Sequence, residues 1–82
     1  MKLPRDLSGP ELARALRVFG YQMTRQTGSH MRLTTNEHGE HHVTIPAHAA
    51  LRVGTLASIL GDVAAHFDMT RDEAVKKLFG GT

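Results

Sequence analysis

Three short stretches of this chain, close together in sequence, alternate apolar and polar residues. Tyr21 and Met23 alternate with Gln22, Thr24 and Gln26. Met31 and Leu33 alternate with His30, Arg32 and Thr34, and Val43 and Ile45 with His42 and Thr44. Successive side chains of a strand point to opposite faces, so each stretch reads as a strand that is apolar on one face only. Three such strands predict an antiparallel sheet, covered by helices on one side and open on the other.

Matching apolar to apolar sets the expected registers. Met23 is placed opposite Met31, and Leu33 opposite Val43. Each register leaves a three-residue loop ending in glycine, Gln26-Thr27-Gly28 and Glu37-His38-Gly39. A three-residue hairpin loop commonly closes through a left-handed glycine, so the loops agree with the face assignment.

Helices flank the strands. Ser8-Gly9-Pro10-Glu11 has the form of a capping box, and Leu12, Leu16 and Phe19 follow at helical spacing up to Gly20. The first helix is therefore expected over about Gly9 to Phe19. Past Pro46, Gly54-Thr55 reads as a breaker and N-cap ahead of the stripe Leu56, Ile59, Leu60, Val63 and Phe67. Thr70-Arg71-Asp72-Glu73 is a second capping box, opening a short last helix with Val75, Leu78 and Phe79 inward. The predicted class is α+β, ordered α-β-β-β-α with a further C-terminal helix. That is the layout of a double-stranded-RNA-binding domain.

At 82 residues the chain is expected to be a single domain spanning 1–82. A domain of this size buries only about 60–65% of its unfolded surface, which leaves no room for a deep substrate cavity. With no cysteine, disulfides, thiol catalysis and cysteine-based zinc sites are excluded. The N-terminal stretch lacks the apolar run of a signal peptide, and no segment reaches the ~20 apolar residues of a membrane span. A cytoplasmic protein with no cofactor is expected. Seven of the ten Lys and Arg residues precede Gly54, against four of the eight Asp and Glu. The basic excess lies with the sheet, where it favours a polyanion or simply forms a solvated surface.

On the open face the predicted neighbours of His30 are Gln22, Thr24 and Arg32. An exposed imidazole titrates near neutrality and can take or give a proton. A guanidinium two residues away can grip a phosphate and offset charge growing in a transition state. The bland reading is an exposed histidine with no role. Ser29 does not read as a hydrolase nucleophile, because adjacent strand residues face opposite sides. Gly28 serves the turn. His38, His41 and His42 suggest a metal by count only: His41 and His42 face opposite sides and no further ligand completes a set, so no metal site is expected. His48 is the better second histidine, since Pro46 falls opposite His30 and His48 follows where the chain leaves the sheet. Met23 and Met31 are expected in the core.

In order along the chain stand a capped helix ending in glycine, Gly28-Ser29-His30, then Val43-Thr44-Ile45-Pro46-Ala47-His48, then Leu51-Arg52-Val53-Gly54-Thr55-Leu56-Ala57-Ser58-Ile59-Leu60. This order resembles the HicA-type toxins of bacterial toxin–antitoxin modules over about Leu12 to Leu78, with Ile45 where valine is more usual. The resemblance implies an mRNA-cleaving endoribonuclease with a double-stranded-RNA-binding-like fold. The family's catalytic histidine falls on His30. Gly28, Ser29, Thr24, Arg32 and His48 form the expected RNA-contacting set. The implied partners are mRNA and a HicB-type antitoxin covering the active face, with the free toxin a monomer. The alternatives are a noncatalytic RNA-binding or regulatory module of the same fold, and a metal-binding or protein-interaction domain.

Overall fold

The first helix starts where two side chains complete each other's backbone. The Ser8 amide donates to Glu11 Oε1 (2.9 Å), and the Glu11 amide donates to Ser8 Oγ (3.1 Å). This reciprocal cap satisfies two of the amides that a helix start leaves orphaned. In the computed structural model, which describes residues 3–80, helix α1 runs Gly9–Ala15 and tightens into a 3₁₀ turn over Leu16–Phe19. Gly20 closes it in the left-handed region, at φ 83°. The span is the one expected from the sequence.

Strands β1 (Gln22–Thr27), β2 (His30–Thr35) and β3 (His41–Pro46) form one antiparallel sheet in the order β1-β2-β3. Helix α2 (Val53–His66), helix α3 (Arg71–Val75) and a wide π turn (Lys76–Gly80) follow. The helices pack on one face, giving the expected α+β, double-stranded-RNA-binding-like arrangement. Between them and the sheet lies one cluster that includes Leu12, Leu16, Tyr21, Leu33, Ile45 and Leu60, each fully buried. Burying one such aliphatic side chain stabilises by about 1.5–3 kcal/mol. Leu51 and Ala74 join this core without having been marked by any stripe.

The β2–β3 register is the predicted one, with Leu33 opposite Val43 and His30 opposite Pro46. The β1–β2 register is not. Met23 pairs with Leu33 rather than Met31, and Thr24 is the extra residue of a β-bulge between Met23 and Arg25. The first hairpin therefore closes through two residues, Gly28-Ser29, rather than three. Gly28 sits at φ 56°, the positive φ that a two-residue hairpin turn requires at its first central position and that glycine takes without strain. Met23 is not core: it is 54% exposed. The helices lie against β3, so β1 projects past their cover and all its residues are exposed.

A second correction concerns the start of α2. Its N-cap is Arg52, with no side-chain cap, and not Thr55. Leu51 sets this boundary. Its side chain is buried and its amide donates to the Leu7 carbonyl (2.7 Å), so the chain is already anchored where the helix begins. The last helix opens as read, with Thr70 and Glu73 capping each other. Val75, Leu78 and Phe79 are partly buried against the core. Gly81 and Thr82 lie outside the described residues, as do Met1 and Lys2.

Candidate nucleic-acid interface

Strand alternation and the bulge together set out the open face as three rows. The row nearest the first turn is Thr27, His30 and Pro46. The next is Arg25, Arg32 and Thr44. The last is Gln22, Thr34 and His42, with Thr24 bulged in beside Thr34. Rows two residues apart along a strand are separated by about 6.6 Å. His30, Arg32, Thr44 and His42 are all exposed, as a polymer lying across the sheet would need.

The first row is held from below. The Ala47 amide donates to the Ser29 carbonyl (2.6 Å), tying the hairpin turn to the exit of β3. The Gly9 amide donates to the His48 carbonyl (2.9 Å). A Cβ on Gly9 would run into the Pro46 carbonyl, so only glycine lets α1 approach this closely. His30 thus stands on a braced corner where the turn, the end of β3 and the start of α1 meet. Ser29 contributes its backbone to this brace, and His48 is exposed just beyond it.

The structure moves two expected neighbours, Gln22 and Thr24, away from His30 into the far row and brings in other residues. Thr24 is not opposite His30; Thr27 is. The Thr24 hydroxyl lies 2.9 Å from that of Thr34, in the far row. Arg25 was missed. Unbroken alternation from Met23 would turn it toward the helix side; the bulge turns it to the open face, directly opposite Arg32. Like charges directly opposite each other destabilise a strand pair. Among the described residues neither arginine has a carboxylate within ion-pair distance. Two guanidiniums beside an exposed imidazole are groups that together can hold an anion such as a phosphate. A bulge carries no residue-type signature in one sequence, and the three-residue loop reading concealed it.

The remaining histidines are accounted for differently. His41 lies on the helix side, where its Nδ1 and the Tyr21 hydroxyl share a hydrogen bond (2.7 Å) and its ring stacks on His66 (4.4 Å between centroids, 11°). The His66 Nε2–H is shared between the carbonyls of Glu37 (2.9 Å) and Gly39 (3.0 Å), pinning the second hairpin turn to α2. Burial pushes the Tyr21 hydroxyl up to about 12, with the Asp62 charge adding to it. Burial and the facing His66 hold the His41 imidazole below its ordinary value, partly offset by Asp62. His38 packs edge-on near His66 and against Phe67. Among the described residues no three His, Asp or Glu side chains gather as metal ligands. A shallow groove lined by Arg17, Gly20, Tyr21, Gln22 and Met23 lies at the other end of β1 from His30.

Comparison with known proteins agrees with this architecture. The family model described as HicA toxin of bacterial toxin-antitoxin matches residues 9–64, from the start of α1 through most of α2. No curated protein and no solved structure gives a significant match.

Proposed function

Because the chain belongs to the HicA family, the toxin half of bacterial toxin–antitoxin modules, we propose that it cleaves RNA on the open face of the sheet, with His30 as the proton-transfer group. His30 takes the proton of a ribose 2′-hydroxyl as the 2′-oxygen attacks phosphorus. The bond to the 5′-oxygen breaks, and the imidazolium returns the proton to that leaving oxygen. Arg32 and Arg25 hold the phosphate and offset the charge that develops on its oxygens. Gly28, Ser29 and His48 frame the corner against which the RNA backbone rests. The reaction needs no cofactor.

The observation that carries this reading is the juxtaposition of an exposed histidine with two opposed arginines that, among the described residues, no carboxylate neutralises. A flat, helix-free face suits unpaired RNA, whose bases and backbone can be splayed across it. Double-stranded RNA is bound across two grooves and fits a sheet corner less well. The same exposure offers an antitoxin of the HicB type one compact place to stop the activity. Carboxylates of such a partner would meet Arg25 and Arg32, and charge complementarity would speed association.

The test is incubation of the purified protein with mRNA in excess EDTA, followed by end-group analysis. Fragments ending in a 2′,3′-cyclic phosphate are expected at an undiminished rate. Binding without cleavage would instead make the protein a noncatalytic RNA-binding module. Activity lost to EDTA and restored by a divalent metal would overturn the mechanism.

A further inference from the structure

The far row of the open face is wired together in a way that nothing in the proposed cleavage step uses. Glu40 Oε2 lies 2.8 Å from His42 Nε2. His42 Nδ1 lies 2.7 Å from the Thr34 hydroxyl, and that hydroxyl lies 2.9 Å from the Thr24 hydroxyl. Four side chains, from all three strands and the second turn, form one continuous line across the sheet. Apart from half-buried Thr34 they are exposed. Exposed pairs return little stability and cost rotamer freedom to hold, so the fold gains little from this order.

The line has a polarity. An ionised carboxylate only accepts, so when the His42 ring is neutral its one N–H sits on Nε2 and points at Glu40. Nδ1 then accepts from the Thr34 hydroxyl, which leaves Thr34 as acceptor toward Thr24, whose own hydroxyl also lies 3.4 Å from the Arg32 carbonyl. Whether Thr24 donates to Thr34 or to the Arg32 carbonyl, each proton of the row is taken up by a protein acceptor and none is turned outward. What faces outward is acceptors: lone pairs of Thr24 and Thr34 and the second oxygen of Glu40. The edge of the imidazole is already occupied, and its face is left for stacking.

Resting on the RNA-cleavage reading, we infer that this row is a base-reading subsite for one nucleotide flanking the scissile phosphate, selecting a base that presents an exocyclic amino group over uracil. With the scissile phosphate between His30 and the arginine pair, the next nucleotide along the sheet reaches Thr34 and His42, about 13 Å from His30. Adenine, cytosine and guanine each carry an amino donor that such acceptors can take. The corresponding position of uracil is a carbonyl, which would face lone pairs. The charge pattern agrees: the cationic row holds the backbone of any sequence, and the acceptor row, which ends on the Glu40 carboxylate and carries no cation to grip a phosphate, is where sequence can be told apart.

The test is to map cleavage sites on a randomised RNA pool with the wild-type protein, His30→Ala, Thr34→Val and Glu40→Gln. Thr34→Val breaks the line at its centre while conserving shape. Glu40→Gln lies in the exposed turn and lets the line reverse. The wild type is expected to favour amino-bearing bases over uracil at one fixed position, by roughly tenfold for a single base-edge contact. Both row variants should keep cleaving within a fewfold of the wild-type rate while that preference falls to near unity. Wild-type cleavage with no preference at any fixed position, or a preference that both variants retain, overturns the subsite and leaves the cleavage reading standing. Absence of cleavage by the wild type, or full cleavage by His30→Ala, overturns the cleavage reading and the subsite with it.

Discussion

The two faces of the sheet use histidine in opposite ways. On the helix side, His41 and His66 stack on each other and are tied to Tyr21 and to the second turn. On the open side His30 stands exposed in a row next to two arginines that pair with no carboxylate among the described residues. The chain has six histidines, and counting them does not separate these roles. What separates them is the environment each strand position provides. A ring that is packed and hydrogen-bonded on several sides braces the fold; a ring that faces solvent beside cations is free to handle a proton.

The sharpest way to break this contrast is to remove the packed side. Tyr21 is fully buried, and it bonds His41 and packs edge-on against Phe67. Tyr21→Ala is expected to cost about 3–5 kcal/mol of stability, as truncation of a buried aromatic does. A urea titration with an unchanged midpoint would mean that the helix-side cluster is ornamental.

On the open side, Arg25→Ala and Arg32→Ala should weaken RNA binding by similar factors. Each should reduce the log–log salt slope by about 0.7, the share of one phosphate contact with a single strand. Lys76→Ala, on the far side of the core, should leave the slope alone. The comparison sharpens if Arg25 matches Arg32, because only the bulge puts Arg25 on this face. An Arg25→Ala protein that binds like the wild type would remove the bulge from the account.

The smallest expected effect is on pH. The His41 imidazole titrates below its ordinary 6.5 in the folded chain, so unfolding takes up a proton once the pH falls below that value. Stability from this group is full above pH 6.5, declines on acidification through the window below it, and levels off beneath the folded-state value. Denaturation midpoints should therefore drop as the pH falls below 6.5, and less so in His41→Gln. The same slope in both proteins would assign the acid sensitivity to other groups.

Much of this architecture was legible because it is local. The reciprocal pairs Ser8–Glu11 and Thr70–Glu73 announce helix starts within four residues, and both form. The second hairpin register follows from alternation and a glycine-containing turn, and it places Pro46 opposite His30 as read. The misreadings are places where distant packing overrules local pattern. Thr24 bulges, reversing which face Arg25 takes and leaving Met23 exposed. Leu51 is buried and bonded to Leu7, ahead of the first helix, and so α2 starts at Val53, ahead of the more obvious Gly54-Thr55 signal. His66 meets His41 across 25 residues of chain, a pairing that only the packing of α2 on the sheet creates. On the open face the histidine and one arginine were visible in sequence. The second arginine and the Glu40–His42–Thr34–Thr24 line depend on strand pairing that one residue of bulge is enough to shift.

The central claim is that the open-face histidine acts in cleavage and the helix-side histidine supports the fold. The direct measurement compares His30→Ala with His41→Ala, each assayed for RNA cleavage at equal concentration of folded protein and for its urea midpoint. His30→Ala is expected to lose about 10²–10⁴-fold in cleavage rate, the range for removal of a general acid–base group. Its stability should change by no more than about 0.5 kcal/mol. His41→Ala should lower the midpoint while its folded fraction cleaves like the wild type. If His30→Ala still cleaves, or if folded His41→Ala does not, the division of roles between the two faces is wrong.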